Sequence, residues 1–350
     1  MARLVIDMND QRPVWARPRW FEEEIREALP DDWSLAMLDA PVEGTGDGST
    51  AAHPVVLEAV ADAEVYMGFG IHAEVILAGP GIRWVHSGSA GVGSSITPAL
   101  LERNPVFTNT AGIHGPPMAD TVVGMILHFF RGFDFAVEAQ RRAAWDTSRF
   151  YAADCPIREV AGSTIGIIGF GGVGREVSAR MTALGSRVLG LRRRLPDGAS
   201  SRRGDAEGVE VVAGAAGLER LLRESDAVVV TAPDTPETRG MIDAEALSRM
   251  KPDAILINVA RGAIVDEAAL AEALRTRQLR GAGLDVFSTE PLSRESPFWG
   301  LDNLLITPHV SAVTDRFWRR EADLILHNLR AWIAGDDAAM RNRVDLRAGY

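Results

Sequence analysis

The chain has 350 residues, 46% hydrophobic and 24% charged, a composition that excludes a disordered or fibrous protein and is long enough for two domains with cores of their own. With 48 acidic against 37 basic side chains the net charge is −11, which argues against nonspecific binding to nucleic acid or an anionic membrane, so an anion site has to be built locally. The amino terminus, M-A-R-L-V-I-D-M-N-D, carries only a strand's worth of apolar side chains, and no later apolar run is long enough to span a bilayer; a cytoplasmic protein that is neither secreted nor membrane-spanning is expected.

Cys155 is the only cysteine, which rules out an intramolecular disulfide framework and fits a reducing compartment. His53, His72, His86, His114, His128 and His327 show no metal-ligand spacing, so no metal is expected.

From the amino terminus, short β-rich runs alternate with helix-compatible segments. Strands are predicted at 4–7, 35–38, 65–68, 83–86 and 106–109, with a Gly- and acid-rich surface loop at 41–49. Such alternation predicts a parallel sheet with helices on its faces. After T-A-G-I-H-G-P-P, residues 118–131 read as a long apolar helix leading into a second domain.

There the run T-I-G-I-I-G-F-G-G-V-G-R-E-V places Gly169, Gly171, Gly172, Val173 and Gly174 between a predicted strand at 164–168 and a helix at 176–184, with a further strand at 187–191. This βαβ unit is where a dinucleotide pyrophosphate would lie. Glycines make the tight turn, the close backbone approach and the close helix packing, while helix-end amides face the anion. Strands recur at 227–231, 254–258, 283–286 and 304–307, so the second domain reads as Rossmann type. Beyond Pro308 an amphipathic stretch, 315–334, offers Phe317, Leu324, Leu326 and Trp332 for packing back onto the first domain.

Four segments hold polar groups at strand ends, where open α/β sheets bind ligands: A-P-D-T-P-E-T-R-G, I-N-V-A-R-G-A-I-V-D, G-A-G-L-D-V-F-S-T-E-P-L and I-T-P-H-V-S. They supply a guanidinium at Arg261, carboxylates at Asp285 and Glu290, and an imidazole at His309. An arginine fork can hold a carboxylate bidentately, and an imidazole oriented by a carboxylate can pass a proton to or from a carbinol oxygen. These are the parts needed to reduce a 2-oxo acid. After the strand following the glycines the chain reads V-L-G-L-R-R-R, with Arg192 and Arg193 where an acidic residue would hold the ribose 2′-hydroxyl of NAD. NADP is therefore expected over NAD.

These segments, in this order, resemble the D-isomer-specific 2-hydroxyacid dehydrogenase family, from V-H-S-G-S-A-G-V near residue 90 to N-L-R-A-W-I-A-G near the end. The resemblance implies two doubly wound parallel-sheet α/β domains: a flavodoxin-like substrate domain at 1–117 and 309–350, and a Rossmann coenzyme domain at 118–308. It implies that Arg261 binds the substrate carboxylate, His309 is the general acid/base and Glu290 pairs with it. Asp285 faces the nicotinamide end, Pro233, Thr238, Val259 and Ala260 line the coenzyme, and amides of Ala90 and Gly91 meet the substrate. A homodimer joined through the coenzyme domains, with residues 118–145 contributing, is also implied. Gly93 and Ser94 stand where many relatives carry Asp and a polar residue, and Asp120 where Glu is frequent, departures that bear on substrate identity; Ala312 stands where Gly is frequent, which is expected to narrow the space near the nicotinamide. A second class of function on the same fold is a dinucleotide-sensing interaction protein of the corepressor type, and a third is a formate- or phosphite-oxidising relative. Turnover across a panel of 2-oxo acids discriminates the first from the second.

Overall fold

Strands buried on both faces read as near-continuous apolar runs, because parallel sheets are covered by helices on each side. The computed structural model describes residues 2–10, 12–39, 52–195, 201–203 and 208–347; the loop expected at 41–49 lies outside them. The chain divides into two units, Met1–His114 with Val313–Tyr350, and Gly115–Ala312. Among the described residues no helix is long and apolar enough to cross a membrane.

The first unit is built on β1 (Ala2–Asp7), β2 (Trp33–Met37), β3 (Val65–Gly68), β4 (Trp84–Ser87) and β5 (Val106–Asn109), all parallel in the order β2-β1-β3-β4-β5. Period-two alternation sorts its side chains. Leu4, Ile6, Val65 and Met67 meet Phe21, Ile25 and the helix Phe317–Ile333 on one face. Val5, Tyr66, Val85 and Phe107 meet Val56, Val75 and Leu100 on the other. Each such buried side chain contributes roughly 1.5–3 kcal/mol. Trp318 belongs to this core: it packs edge-on against Phe21 and donates Nε1–H to the Trp15 carbonyl at 3.2 Å. Fully buried His86 pairs with Glu321 of the same helix at 2.8 Å, which pins that helix to β4.

The second unit contains β6 (Thr164–Ile168), β7 (Arg187–Arg192), β8 (Ser201–Arg203), β9 (Val209–Ala213), β10 (Ala227–Val230), β11 (Ile255–Asn258), β12 (Gly281–Leu284) and β13 (Leu304–Ile306). Their order is β13-β12-β11-β10-β6-β7-β9-β8. Short β8 runs antiparallel to β9 at the edge, and the other neighbours are parallel. Both doubly wound sheets expected from the sequence are present. The winding reverses between β1 and β3 in one sheet and between β6 and β10 in the other, and such switch points open ligand crevices at the carboxyl ends of the strands.

Three details differ from the sequence reading: β8 and β9 are not predicted by it, and β12 begins at Gly281 rather than near Gly283. The shift of β12 has a packing cause. Helix Gly115–Phe130 lies so close that a Cβ on Gly281 would stand 2.7 Å from Phe129 Cε1, and one on Gly283 2.8 Å from Met125 Sδ. This strand therefore carries small residues in place of the β-branched ones that signal a strand.

Candidate active site

The glycine turn after β6 is packed against backbone at Gly169 and Gly174. Gly169 has φ +94°, and a Cβ there would fall 2.4 Å from the Ala232 amide nitrogen after β10. Thr231 closes the turn from the same side, donating Oγ1–H to the Gly169 carbonyl at 2.8 Å. The helix Gly172–Ala183 starts immediately afterwards, so the amides of Gly172, Val173 and Gly174 lie in its first turn, where no intrahelical acceptor exists. A Cβ on Gly171 would meet nothing within 4 Å. Open space over a helix amino terminus fits a pyrophosphate.

At the end of β7, Arg192 donates Nε–H to the Phe170 carbonyl at 3.0 Å, which anchors its guanidinium beside the glycine turn. Thr238 donates to the Pro233 carbonyl at 2.6 Å and accepts the Thr235 amide at 2.8 Å, which closes the 233–238 loop after β10. The Glu237 carboxyl in this loop is held below its ordinary range, first by the Thr235 hydroxyl and further by the charges of Arg193 and Arg194. Arg193 and Arg194 therefore share one neighbourhood with this loop.

β11 ends at Asn258, 1% exposed, whose side chain shapes the next turn: Oδ1 accepts the Ala260 amide at 3.0 Å and Nδ2 donates to the Arg261 carbonyl at 3.0 Å. Val259 and Ala260 follow the strand directly. Arg261 donates NH1–H to the Ala260 carbonyl at 2.8 Å. Gly262 is obligatory, since a Cβ there would lie 2.0 Å from the Phe287 carbonyl carbon. This close approach brings the Arg261 turn against the segment that carries Glu290.

After β12, Asp285 is fully buried. Its Oδ1 accepts the Thr307 hydroxyl at 2.6 Å and the Val310 amide at 2.9 Å, while Oδ2 accepts the Ser311 amide at 3.0 Å. Its carbonyl accepts the His309 amide at 2.8 Å. A buried carboxylate is tolerated because donors surround it. Those donors are all in the loop after β13, so the carboxylate is spent on fixing His309, whose φ is +54°, rare for a residue with a side chain. Thr307 and Asn258 were not singled out in the sequence: their roles rest on partners at turns the primary structure does not display.

Glu290 stands on the same segment. Its Oε1 accepts the Phe287 amide at 2.9 Å, and its Oε2 lies 2.7 Å from His309 Nδ1. A carboxylate can only accept, so Nδ1 carries the proton and Nε2 is left for a reacting oxygen. The pair is part-exposed, at 45% for the His309 side chain and 35% for Glu290. Arg261, Asp285, Glu290 and His309 thus cluster at the carboxyl ends of the neighbouring strands β11, β12 and β13.

Ala90 and Gly91 belong to the other unit, on the loop after β4. The Ala90 carbonyl accepts Asn109 Nδ2–H at 2.9 Å, and the Ser89 amide donates to Ser87 Oγ at 3.2 Å.

Residues 123–311 match the profile described as D-isomer specific 2-hydroxyacid dehydrogenase, NAD binding domain. The chain is 34% identical to D-3-phosphoglycerate dehydrogenase of Mycobacterium leprae over 268 residues, 76% of this chain but 48% of that protein, so it spans about half the length of this curated relative. It is 34% identical over 303 residues to glyoxylate reductase of Korarchaeum cryptofilum, covering 83% of this chain and 86% of the relative. Among solved structures, a D-isomer specific 2-hydroxyacid dehydrogenase from Xanthobacter autotrophicus in complex with NADPH and MES superposes with TM-score 0.77 at 29% identity, covering 100% of this chain and 99% of that one. The NADPH-dependent glyoxylate/hydroxypyruvate reductase of Sinorhizobium meliloti, in complex with NADP and sulfate, gives 0.76 at 26% identity, with both chains covered completely.

Proposed function

The chain belongs to the D-isomer specific 2-hydroxyacid dehydrogenase family, and on that premise we propose that it interconverts a small 2-oxo acid and its D-2-hydroxy acid with NADP as the preferred coenzyme. The observation that carries this reading is the 2.7 Å pairing of His309 Nδ1 with Glu290, which leaves Nε2 as a proton carrier at the strand ends. When bound, the nicotinamide coenzyme supplies or accepts the hydride. The first-turn amides of Gly172, Val173 and Gly174 would hold its pyrophosphate, and Pro233, Thr238, Val259 and Ala260 would line the coenzyme.

In reduction, Arg261 grips the substrate carboxylate with a planar fork and polarises the neighbouring carbonyl. Amides of Ala90 and Gly91, on the first unit, are further donors for a substrate carboxylate. His309, protonated, donates from Nε2 to the carbonyl oxygen as it gains charge, and Glu290 stabilises the imidazolium until that proton leaves and orients the neutral ring afterwards. Asp285 keeps His309 in its unusual backbone conformation. In oxidation His309 starts neutral and takes the hydroxyl proton.

Arg192 and Arg193 support the NADP preference, because a 2′-phosphate needs cations where NAD sites place an acid. Trp145 and Tyr151, 98% and 85% exposed, together with Phe133 at 52%, support a homodimer that covers this segment of the second unit. The test is a kinetic panel of glyoxylate, hydroxypyruvate and larger 2-oxo acids with NADPH and NADH. Turnover of at least one 2-oxo acid, faster with NADPH, is expected; intact coenzyme binding without turnover across the panel contradicts the reading.

A further inference from the structure

The segment after helix Phe317–Ile333 returns across the first unit and lies along β5. The Asn109 amide donates to the Asn342 carbonyl at 3.1 Å, Thr108 and Arg343 form an antiparallel bridge, and the Val344 amide donates to the Phe107 carbonyl at 2.8 Å. Fully buried Asn328 on the helix grips the same segment from behind: Oδ1 accepts the Arg341 amide at 2.8 Å and Nδ2 donates to the Arg341 carbonyl at 3.1 Å.

Asn342 sits at the turning point, with φ +55°, a conformation that asparagine tolerates better than most residues. Its Nδ2 donates to two carbonyls, of Asn109 at 3.0 Å and Ala111 at 2.8 Å. Both faces of the Asn109 backbone are therefore held by one residue of the tail. The Asn109 side chain, in a residue 5% exposed, is fixed in turn: Oδ1 accepts the Ala111 amide at 3.1 Å, and Nδ2 donates to the Ala90 carbonyl at 2.9 Å.

This last bond sets the direction of a peptide plane. In a trans peptide the carbonyl and the following N–H point in opposite directions. Drawing the Ala90 carbonyl inward to Asn109 turns the Gly91 N–H the other way, off the buried side of the loop. An amide so oriented is a donor prepared for an anion before the anion arrives.

We propose that Asn342, acting through Asn109, is a positioning residue for substrate binding: the carboxyl-terminal tail locks the Asn109 backbone, and the Asn109 side chain, set by that backbone, holds the Ala90–Gly91 peptide with its amide presented to the carboxylate of the 2-oxo acid. The inference rests on the proposed role of the 90–91 loop. It adds that recognition at this loop depends on a tail segment whose Asn342 stands 233 positions beyond Asn109.

The test compares wild type, Asn342→Gly and Asn109→Asp. Glycine keeps the left-handed backbone and deletes both donors of residue 342. Aspartate keeps the acceptor for Ala111 and removes the donor to Ala90. For each protein, KM and kcat are measured with the best 2-oxo acid, the NADPH Kd by fluorescence, and the Tm. Loss of one oriented donor should raise KM about tenfold, with kcat and the NADPH Kd within about twofold. The double variant should cost less than the product of the singles, because the two act in series. If Asn342→Gly does not fold, Asn342→Asp, which keeps side-chain volume and turn preference, replaces it. An unchanged KM in both single variants, while Arg261→Lys raises it, overturns the clamp and leaves the proposed activity standing. A rise in NADPH Kd equal to the rise in KM indicates general loosening and also overturns the clamp. Absence of turnover by the wild type with every 2-oxo acid overturns both.

Discussion

Glu290 divides its carboxylate between two jobs: Oε1 accepts the Phe287 amide at 2.9 Å, and Oε2 meets His309 Nδ1 at 2.7 Å. The first contact fixes the second, because an anchored carboxylate presents one oxygen in a set direction. Glu290→Gln should therefore lower kcat about 10- to 1,000-fold, since an amide does not stabilise an imidazolium by charge. The NADPH Kd, set at other strand ends, should stay unchanged. Wild-type kcat in the purified variant would remove Glu290 from the proton path.

Arg261→Lys preserves charge and loses planarity. The Arg261 turn is set by Asn258 and by the close approach at Gly262, and an ammonium on a flexible stem does not reproduce a bidentate fork. The expected outcome is a fall in kcat/KM of about 10- to 100-fold, carried mainly by KM. Unaltered KM and kcat with the best 2-oxo acid would contradict the assignment.

Coenzyme choice tests the basic cluster. Arg192, anchored on the Phe170 carbonyl, and Arg193 are proposed to meet a 2′-phosphate with charge-assisted hydrogen bonds worth about 1.5–3 kcal/mol each. One such contact corresponds to about a ten- to hundredfold preference for NADPH in kcat/KM. Arg192→Ala/Arg193→Ala should abolish that ratio by weakening NADPH and sparing NADH. A wild type that uses both coenzymes equally, or favours NADH, is incompatible with the proposal.

Much of the architecture was legible in the sequence because its physics is local. Strands buried on both faces give apolar runs, and the glycine turn needs its glycines whatever surrounds it. The Arg261, Glu290 and His309 segments stood out because each puts a polar group directly after an apolar run. Legibility failed where the cause lies far along the chain. β12 looks weak because Phe129 and Met125 occupy the space its side chains would take. β9 interrupts its apolar pattern with Glu210, which is explained by its ion pairs with Arg187 and Arg220. The partners of Asp285 are amides 25 and 26 residues downstream, and those of Asn109 include a tail residue 233 positions away.

Asp7, at the carboxyl end of β1, gives a pH signature of the first unit. Burial pushes its carboxyl up to about 6, against the opposing effects of the Tyr66 hydroxyl, Arg17 and His53, and its Oδ1 is buried without a hydrogen-bond partner. A carboxyl whose folded value lies above its unfolded one favours folding when protonated. This contribution is complete below about pH 4 and is lost as pH rises through about 6. Asp7→Asn should raise stability at pH 7.5 by up to about 3 kcal/mol, because every tenfold difference in proton affinity between the folded and unfolded chain is worth about 1.4 kcal/mol. Near pH 4 it should change little. Denaturant melts at the two pH values check this; a variant equally or less stable than wild type at pH 7.5 would show that burial of Asp7 carries no penalty.

The central claim is that His309 moves the proton in the reduction of a 2-oxo acid, and single-turnover kinetics of His309→Gln test it most directly. NADPH-loaded enzyme is mixed with a saturating 2-oxo acid and coenzyme oxidation is followed by absorbance. The variant is expected to bind NADPH as the wild type does and to oxidise it about 100- to 10,000-fold more slowly at every pH tested. Oxidation at the wild-type rate across the pH range would contradict the account.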